Sequence, residues 1–238
     1  MICDLSSPSG HSVNDGIPRE LCSLQYASVD DAVSIIQHLG RGTQLVKLDI
    51  QDAYRIVPVH PSDCNLLGIH WNGGTYIDRA LPFGLRSAPK IFNAVADFIA
   101  LVLVCNGIHY QLHYLDDFLF LAAQDSNRRS QVLSIALQTL RQLGIPVTVH
   151  KTEGPTTVFI FLGILIDTHR FELRLPTDKL LRLQEMIATW TTKCTCQWKE
   201  LESLLGHLCH AATDIHQGRI FLCDLFPLPW TEHPITFA

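Results

Sequence analysis

Apolar positions recur at two spacings along the chain, and the change of spacing separates strand-like from helix-like stretches. Residues 45–50 form a short apolar run that reads as a strand carrying Asp49 near its C-terminal end. Ser28, two acids and then Ala32, Val33, Ile35, Ile36 and Leu39 read as a capped helix stopped by Gly40. Residues 71–81, with Gly73 and Gly74 among them, predict a hairpin region. Residues 87–104 have helical periodicity and open on Ala88-Pro89, a place where proline is tolerated. Two strands, 108–115 and 118–122, flank Asp116 and Asp117. Residues 130–143 predict an amphipathic helix ended by Gly144, and 158–166 a buried strand with Gly163 inside it. Beyond Leu175-Pro176 the period turns helical, over 180–190 and 198–212. Residues 4–20, rich in Ser, Pro, Gly, Asn and Asp, read as a loop, and 226–238, with three prolines, as a loosely attached tail. Mixed strands and helices followed by a small helical region predict an α+β core with an appendage.

Composition supports a packed globular chain: of 238 residues, 47% are hydrophobic and 17% charged. The longest apolar run, residues 98–105, is far shorter than the roughly twenty residues of a membrane span, and reads as a buried helix segment. Met1 leads straight into Asp4, Ser6, Ser7 and Pro8, with no signal-peptide pattern. These features predict a soluble, intracellular protein without a membrane partner, and leave nucleus and cytoplasm open. Net charge is −5, against the basic surface that phosphate binding favours. A metal-binding carboxylate cluster adds negative charge of its own, while Lys and Arg can gather along one groove. The balance therefore argues against strong unaided nucleic-acid binding rather than against chemistry on nucleotides.

The eight cysteines (Cys3, Cys22, Cys64, Cys105, Cys194, Cys196, Cys209 and Cys223) are scattered among apolar neighbours and read as free buried thiols. Cys194 and Cys196 with His207, Cys209 and His210 invite a zinc reading. Their spacing matches no common finger, and core thiols are preferred. His60, His109 and His113 read as core or surface histidines.

The candidate chemistry lies in Asp49, at a strand end, and in Asp116-Asp117, between two strands. Tyr114, Leu115, Phe118, Leu119 and Phe120 surround the pair, and ionised carboxylates beside such a core need a cation or strong hydrogen bonds. Hard oxygen donors of this kind suit Mg2+ or Mn2+. Two such ions can activate an attacking hydroxyl and stabilise a leaving oxygen in displacement at phosphorus.

Tyr114-Leu115-Asp116-Asp117 resembles the Tyr-x-Asp-Asp box of reverse transcriptases. Asp49, followed five residues later by Tyr54, resembles their first catalytic box. Leu81-Pro82-Phe83-Gly84-Leu85-Arg86-Ser87-Ala88-Pro89, with Ile91-Phe92, resembles the box between them. Residues 144–151 resemble the following box and Phe161-Leu162-Gly163 the primer grip, so that five boxes occur in the family's order, within a resemblance that runs from about residue 2 to 225. Ser12 to Ile17, Ile56 to Pro61, and Leu204 to Leu208 with Gly218-Arg219 resemble the DIRS-like, tyrosine-recombinase group of retrotransposons.

The resemblance implies a right-hand polymerase. Its partial fingers would be residues 1–48; its palm, of antiparallel sheet plus helices, residues 49–175, with a fingers segment at about 55–85; and its helical thumb-like region residues 176–225, before the tail at 226–238. It implies an RNA-directed DNA polymerase acting on an RNA or DNA template with primer and on deoxynucleoside triphosphates. Two Mg2+ or Mn2+ ions would sit on Asp49, the Ile50 backbone carbonyl, Asp116 and Asp117. Lys151 would give a proton to the departing pyrophosphate. Gln51, Asp52 and Ala53 would cradle the triphosphate, Tyr54 would exclude a 2′-hydroxyl, and Phe83, Gly84 and Arg86 would line the nucleotide or template. Tyr114, Leu115, Ser87, Ala88, Pro89, Phe161, Leu162 and Gly163 would meet primer or template.

In the family an Arg precedes the segment resembling Ile2-Cys3-Asp4-Leu5 and a Lys lies further upstream, both gripping the triphosphate; neither has a counterpart in this sequence. RNase H and recombinase regions, partners in a parent polyprotein, have none after residue 225. The expectation is a fragment, a truncated gene or a decayed copy that folds, binds Mg2+ weakly and polymerises poorly. The alternative is a non-catalytic remnant that folds or binds nucleic acid without polymerising.

Overall fold

The computed structural model describes residues 4–124, 131–212 and 235–236. The chain divides into two compact units, residues 1–156 and 157–238.

The first unit opens with loop and short 3-10 turns, then helix α1 (Val29–Leu39). Ser28 and Asp31 close a reciprocal capping box at its start, and Gly40, at φ 91°, ends it. Strand β1 (Gln44–Asp49) follows, then the hairpin β2 (Gly68–Trp71) and β3 (Gly74–Ile77). Asn72 and Gly73 make its two-residue turn, both with positive φ, the backbone that matches strand twist. The hairpin thus sits earlier than residues 71–81: the turn chemistry is that of Asn72-Gly73, not of Gly73-Gly74. Helix α2 (Ala88–Cys105), strands β4 (Gln111–Tyr114) and β5 (Asp117–Ala122), helix α3 (Val132–Gln142) and strand β6 (Glu153–Thr156) complete the unit.

Four strands form an antiparallel sheet in the order β4-β5-β1-β6. Alternation along β1 and β5 decides which residues feed the core. Val46, Leu48 and Ile50 on one strand and Phe118, Phe120 and Ala122 on the other pack with Phe92, Ala96, Ile99 and Leu103 of α2 and Val132, Ala136 and Leu140 of α3. The intervening residues, Lys47 and Asp49 on β1 and Asp117 on β5, project from the opposite face.

Helix α2 is long and apolar enough to cross a membrane by length and composition. Its inner stripe lies in the core, whereas Ile91, Phe98, Leu101 and Val104 are exposed. The run at 98–105 is therefore only half buried, because one helix presents two faces and only one of them meets the sheet.

In the second unit β7 (Val158–Phe161), β8 (Ile164–Asp167) and β9 (Glu172–Arg174) form an antiparallel meander. The stretch expected as one strand over 158–166 is a hairpin. Leu162 and Gly163 both take positive φ, at 48° and 85°, and turn the chain back on itself. Helix α4 (Thr177–Trp190), the short β10 (Thr195–Cys196), helix α5 (Trp198–Ala211) and β11 (Ile235–Thr236), which pairs with β10, follow. Cys196, Leu201 and Leu205, with Trp190 and Trp198 against them, form a small core.

The reading of the cysteines as buried thiols needs correction. Among the described free thiols Cys196 is buried, Cys22, Cys64 and Cys209 are half-buried, and Cys105 and Cys194 are exposed. Apolar neighbours in sequence do not bury a thiol that falls on the outer face of a helix or at its end. The start of the helix expected at residue 130, the Gly218-Arg219 pair, and the thumb-like stretch and tail from 213 to 234 lie outside the described residues.

Candidate active site

Asp49 ends β1 and stands directly opposite Asp117, the first residue of β5, in the antiparallel register. Asp116 occupies the two-residue turn between β4 and β5, where Tyr114 pairs with Asp117. Leu115 completes that turn at φ 53°, a strained conformation for a branched side chain. The turn is pinned to β1 by the Ile50 N–H, which donates to the Asp116 carbonyl at 2.9 Å. In extended backbone the Ile50 carbonyl leaves the strand on the same edge, toward that turn. Three carboxylates from two separate stretches thus meet at one end of the sheet.

Two lysines offset their charge. Lys151 Nζ lies 3.1 and 3.3 Å from the two oxygens of Asp49, which is 5% exposed. Lys47 Nζ stands 3.0 Å from Asp117 Oδ1, within ion-pair distance, although that oxygen accepts no well-directed hydrogen bond. Among the described residues no cation stands within ion-pair distance of Asp116. Burial, and the charges of Asp117 and Asp49, push its carboxyl above the ordinary carboxylate range. Lys151 is pushed up by its hydrogen bond to Asp49 and by the charge of that carboxylate. It is a cation held on Asp49, and its ammonium keeps a third N–H beyond those two contacts.

Among the described residues no three His, Cys, Asp or Glu side chains stand as a closed ligand cluster. With Asp49 turned onto Lys151 and Asp117 toward Lys47, each carboxylate follows its nearest cation. The donor set nevertheless fits a hard divalent ion. It consists of carboxylate oxygens and a backbone carbonyl, gathered at one end of the sheet beside an open cavity.

A cavity of about 750 Å3 opens beside these carboxylates. Asp49, Ile50 and Asp116 line it together with Gln51, Asp52, Ala53, Tyr54, Phe83 and Lys151. Val147 to Lys151 form its other wall, so His150, which the sequence did not single out, also faces it. Asp52 takes a left-handed φ of 54° and starts the short 3-10 turn from which Tyr54 projects. The Tyr54 ring packs 5.0 Å from that of Phe83 and meets Phe92 edge-on at 5.6 Å. Its hydroxyl is pushed up chiefly by burial, then by the neighbouring Tyr26, Asp116 and Tyr114.

The other candidate residues are placed less directly. Gly84, at φ 95°, follows Phe83 in the loop before α2. Arg86 turns toward the N-terminal segment, its guanidinium donating to the Ile17 carbonyl at 2.6 Å. Ser87 precedes α2, Ala88 is wholly buried in the core, and Pro89 sits in the first turn. Tyr114 stacks on Tyr26 with ring centroids 4.8 Å apart. Phe161, Leu162 and Gly163 belong to the second unit, where Phe161 is buried and Leu162-Gly163 form the β7–β8 turn. A side chain at Gly163 would run into Lys179 and His210, and Lys179 Nζ donates to the Gly163 carbonyl at 3.3 Å.

Besides His150, sequence reasoning missed Lys47, Tyr26 and Asn14. Lys47 was legible in principle, since two positions before Asp49 on a strand means the same face. Tyr26, which stacks on Tyr114, and Asn14, which bonds the loop after Phe83, come from distant stretches of chain and carried no local signal.

Residues 6–166 match the family model described as reverse transcriptase (RNA-dependent DNA polymerase). Protein P of duck hepatitis B virus (strain China) is 25% identical over 169 residues, covering 70% of this chain and 21% of that protein. The Pro-Pol polyprotein of feline foamy virus is 26% identical over 212 residues, covering 85% of this chain and 17% of that protein. The chain thus spans about a fifth of the length of these relatives. Among solved structures, the foamy viral protease-reverse transcriptase in complex with double-stranded DNA superposes with a TM-score of 0.76 at 20% identity, over 100% of this chain and 38% of that one. The same enzyme in complex with RNA/DNA hybrid gives 0.67 at 20% identity, over 95% of this chain and 28% of that one. These likenesses give the fold, a right-hand polymerase of antiparallel sheet and helices. With more than half of its length matched by the family model, the chain belongs to the reverse transcriptase (RNA-dependent DNA polymerase) family.

Proposed function

We propose that this chain is the polymerase core of a retrotransposon reverse transcriptase, adding deoxynucleotides to a primer on an RNA or DNA template by two-metal phosphoryl transfer. The observation that carries the reading is the meeting of Asp49, Asp117 and the Asp116 turn at the mouth of a cavity walled by Tyr54, Phe83 and Lys151. Asp49, Asp116 and the Ile50 carbonyl would hold Mg2+ or Mn2+, with Asp117 completing the acidic cluster. The ions would lower the pKa of the primer hydroxyl and stabilise the departing oxygen. The Gln51 N–H already donates to the Pro146 carbonyl at 3.0 Å, so of the residues expected to cradle a triphosphate Asp52 and Ala53 would offer theirs, and the rings of Tyr54 and Phe83 would form a floor for the sugar. Template-primer as partner is supported by the nucleic acids named in the matched foamy viral structures.

On this reading residues 49–175 contribute palm, with an interleaved fingers segment at about 55–85, and residues 176–225 a thumb-like region. The stretches at 12–17, 56–61 and 204–208 support a DIRS-like retrotransposon origin. The packing of the inner stripe of α2 into the core supports a soluble chain.

The test is primer extension by the chain with Mg2+, a labelled primer, and RNA or DNA template. Template-directed incorporation that Asp116→Asn removes supports the reading. Incorporation that persists in Asp116→Asn contradicts it.

A further inference from the structure

Asn14 lies in a 3-10 turn (Val13–Gly16), far from the carboxylates in sequence, yet is only 3% exposed. Its side-chain amide bridges to the loop that carries Phe83. Nδ2 donates to the Gly84 carbonyl at 2.8 Å, and Oδ1 accepts from the Arg86 backbone N–H at 2.7 Å. An amide that both donates and accepts fixes the direction of the peptide groups on either side of Leu85. The guanidinium of Arg86 closes the clamp from the other side by donating to the Ile17 carbonyl at 2.6 Å. The turn holding Asn14 is itself fixed by a reciprocal capping box between Ser12 and Asp15, and the Asn14 N–H donates to the Leu5 carbonyl at 3.0 Å.

Buried polar groups are normally satisfied, and Asn14 meets its need on backbone groups of a distant loop. The link spans about seventy residues and ends on the loop whose phenylalanine forms the cavity floor against Tyr54. Gly84 needs its φ of 95° held, because glycine has no side chain to pack the loop in place.

We infer that Asn14 is a positioning residue for the nucleotide pocket, setting the height of Phe83 beneath the incoming sugar and base by clamping residues 84–86. This rests on the polymerase reading proposed above. Asn14 touches neither the carboxylates nor the cavity, so its effect falls on nucleotide affinity and not on metal binding.

The test uses the full chain with a dideoxy-terminated primer on a template, so that no chemistry follows binding. A fluorescent deoxynucleoside triphosphate with Mg2+ serves as the probe, and hydrogen exchange reports on the Arg86 amide. In Asn14→Ala the Arg86 amide exchanges faster and the nucleotide Kd rises about tenfold, as expected for a displaced pocket wall. Mn2+ affinity stays within about twofold of the parent, because Asn14 shares no partner with the carboxylates. Ser6→Ala removes the other acceptor of Asn14 Nδ2, at 2.9 Å, without touching the loop, and leaves all three values unchanged. Faster exchange with an unchanged nucleotide Kd overturns the inference, as does a parallel loss of Mn2+ affinity. Should Asn14→Ala fail to fold, Asp15→Ala loosens the same turn from an exposed position; an unchanged Kd there overturns the inference too. A parent chain that binds no nucleotide overturns the polymerase reading itself. A parent that binds and an Asn14→Ala chain that binds equally well overturn this inference alone.

Discussion

Lys47 stands 3.0 Å from Asp117 on the neighbouring strand, on the face of the sheet that also carries Asp49. A cation so placed competes with a divalent ion for Asp117 and repels ions from the site as a whole. Lys47→Met is therefore expected to raise Mn2+ affinity, and Asp117→Asn to cost more affinity in that background than in the parent. A double-mutant cycle on Mn2+ binding should give a coupling of about 0.5–3 kcal/mol. Strict additivity would show that Asp117 ignores Lys47 when ions bind.

Asp116 carries a pH signature. Burial and the charges of Asp117 and Asp49 raise its carboxyl above the ordinary 3.8, so the folded chain binds that proton more tightly than the unfolded chain does. The stability this contributes is full below 3.8 and is lost as pH rises through the higher folded value. In EDTA, Asp116→Asn should thus melt above the parent at pH 7, with the gap closing as pH falls toward 3.8. A gap that does not depend on pH would assign the difference to packing.

Tyr54 is held from two sides, by Phe83 at 5.0 Å and by Phe92 at 5.6 Å. If its ring excludes a 2′-hydroxyl, Tyr54→Val admits ribonucleotides while retaining deoxynucleotide incorporation. Single-nucleotide addition compared between the two sugars measures this. Equal discrimination in variant and parent would leave Tyr54 as a packing residue.

Much of the site was legible in the sequence. The strand over 45–50 with Asp49 near its end was read from the sequence, and the two separate carboxylate positions resembled known boxes. What was not legible arises from contacts between distant segments. Nothing near Asn14 shows that its amide reaches Gly84, and nothing near Tyr26 shows that its ring meets Tyr114. The β7–β8 hairpin was hidden for another reason. Leu162 takes positive φ, which its residue type disfavours, so the apolar run from 158 to 166 looked continuous.

Gly154 tests how firmly β6 braces β1. It has φ 103°, and a Cβ there would strike the Leu45 carbonyl oxygen and come 3.1 Å from the Val46 Cα. Gly154→Ala is expected to destabilise the chain by more than about 1 kcal/mol, lowering Tm by roughly 2–4 °C for each kcal/mol at this size. An unchanged Tm would mean that the β1–β6 edge yields without strain.

The central claim is that Asp49 and Asp116 together hold divalent ions for nucleotide addition. Mn2+ titration followed by electron paramagnetic resonance tests it most directly, on the parent chain and on Asp49→Asn and Asp116→Asn. The account predicts saturable Mn2+ binding in the parent. In either variant it predicts a loss of at least about tenfold to a hundredfold, the effect that residues merely supporting metal ligands already have. Equal binding in all three chains, or none in the parent, would contradict it.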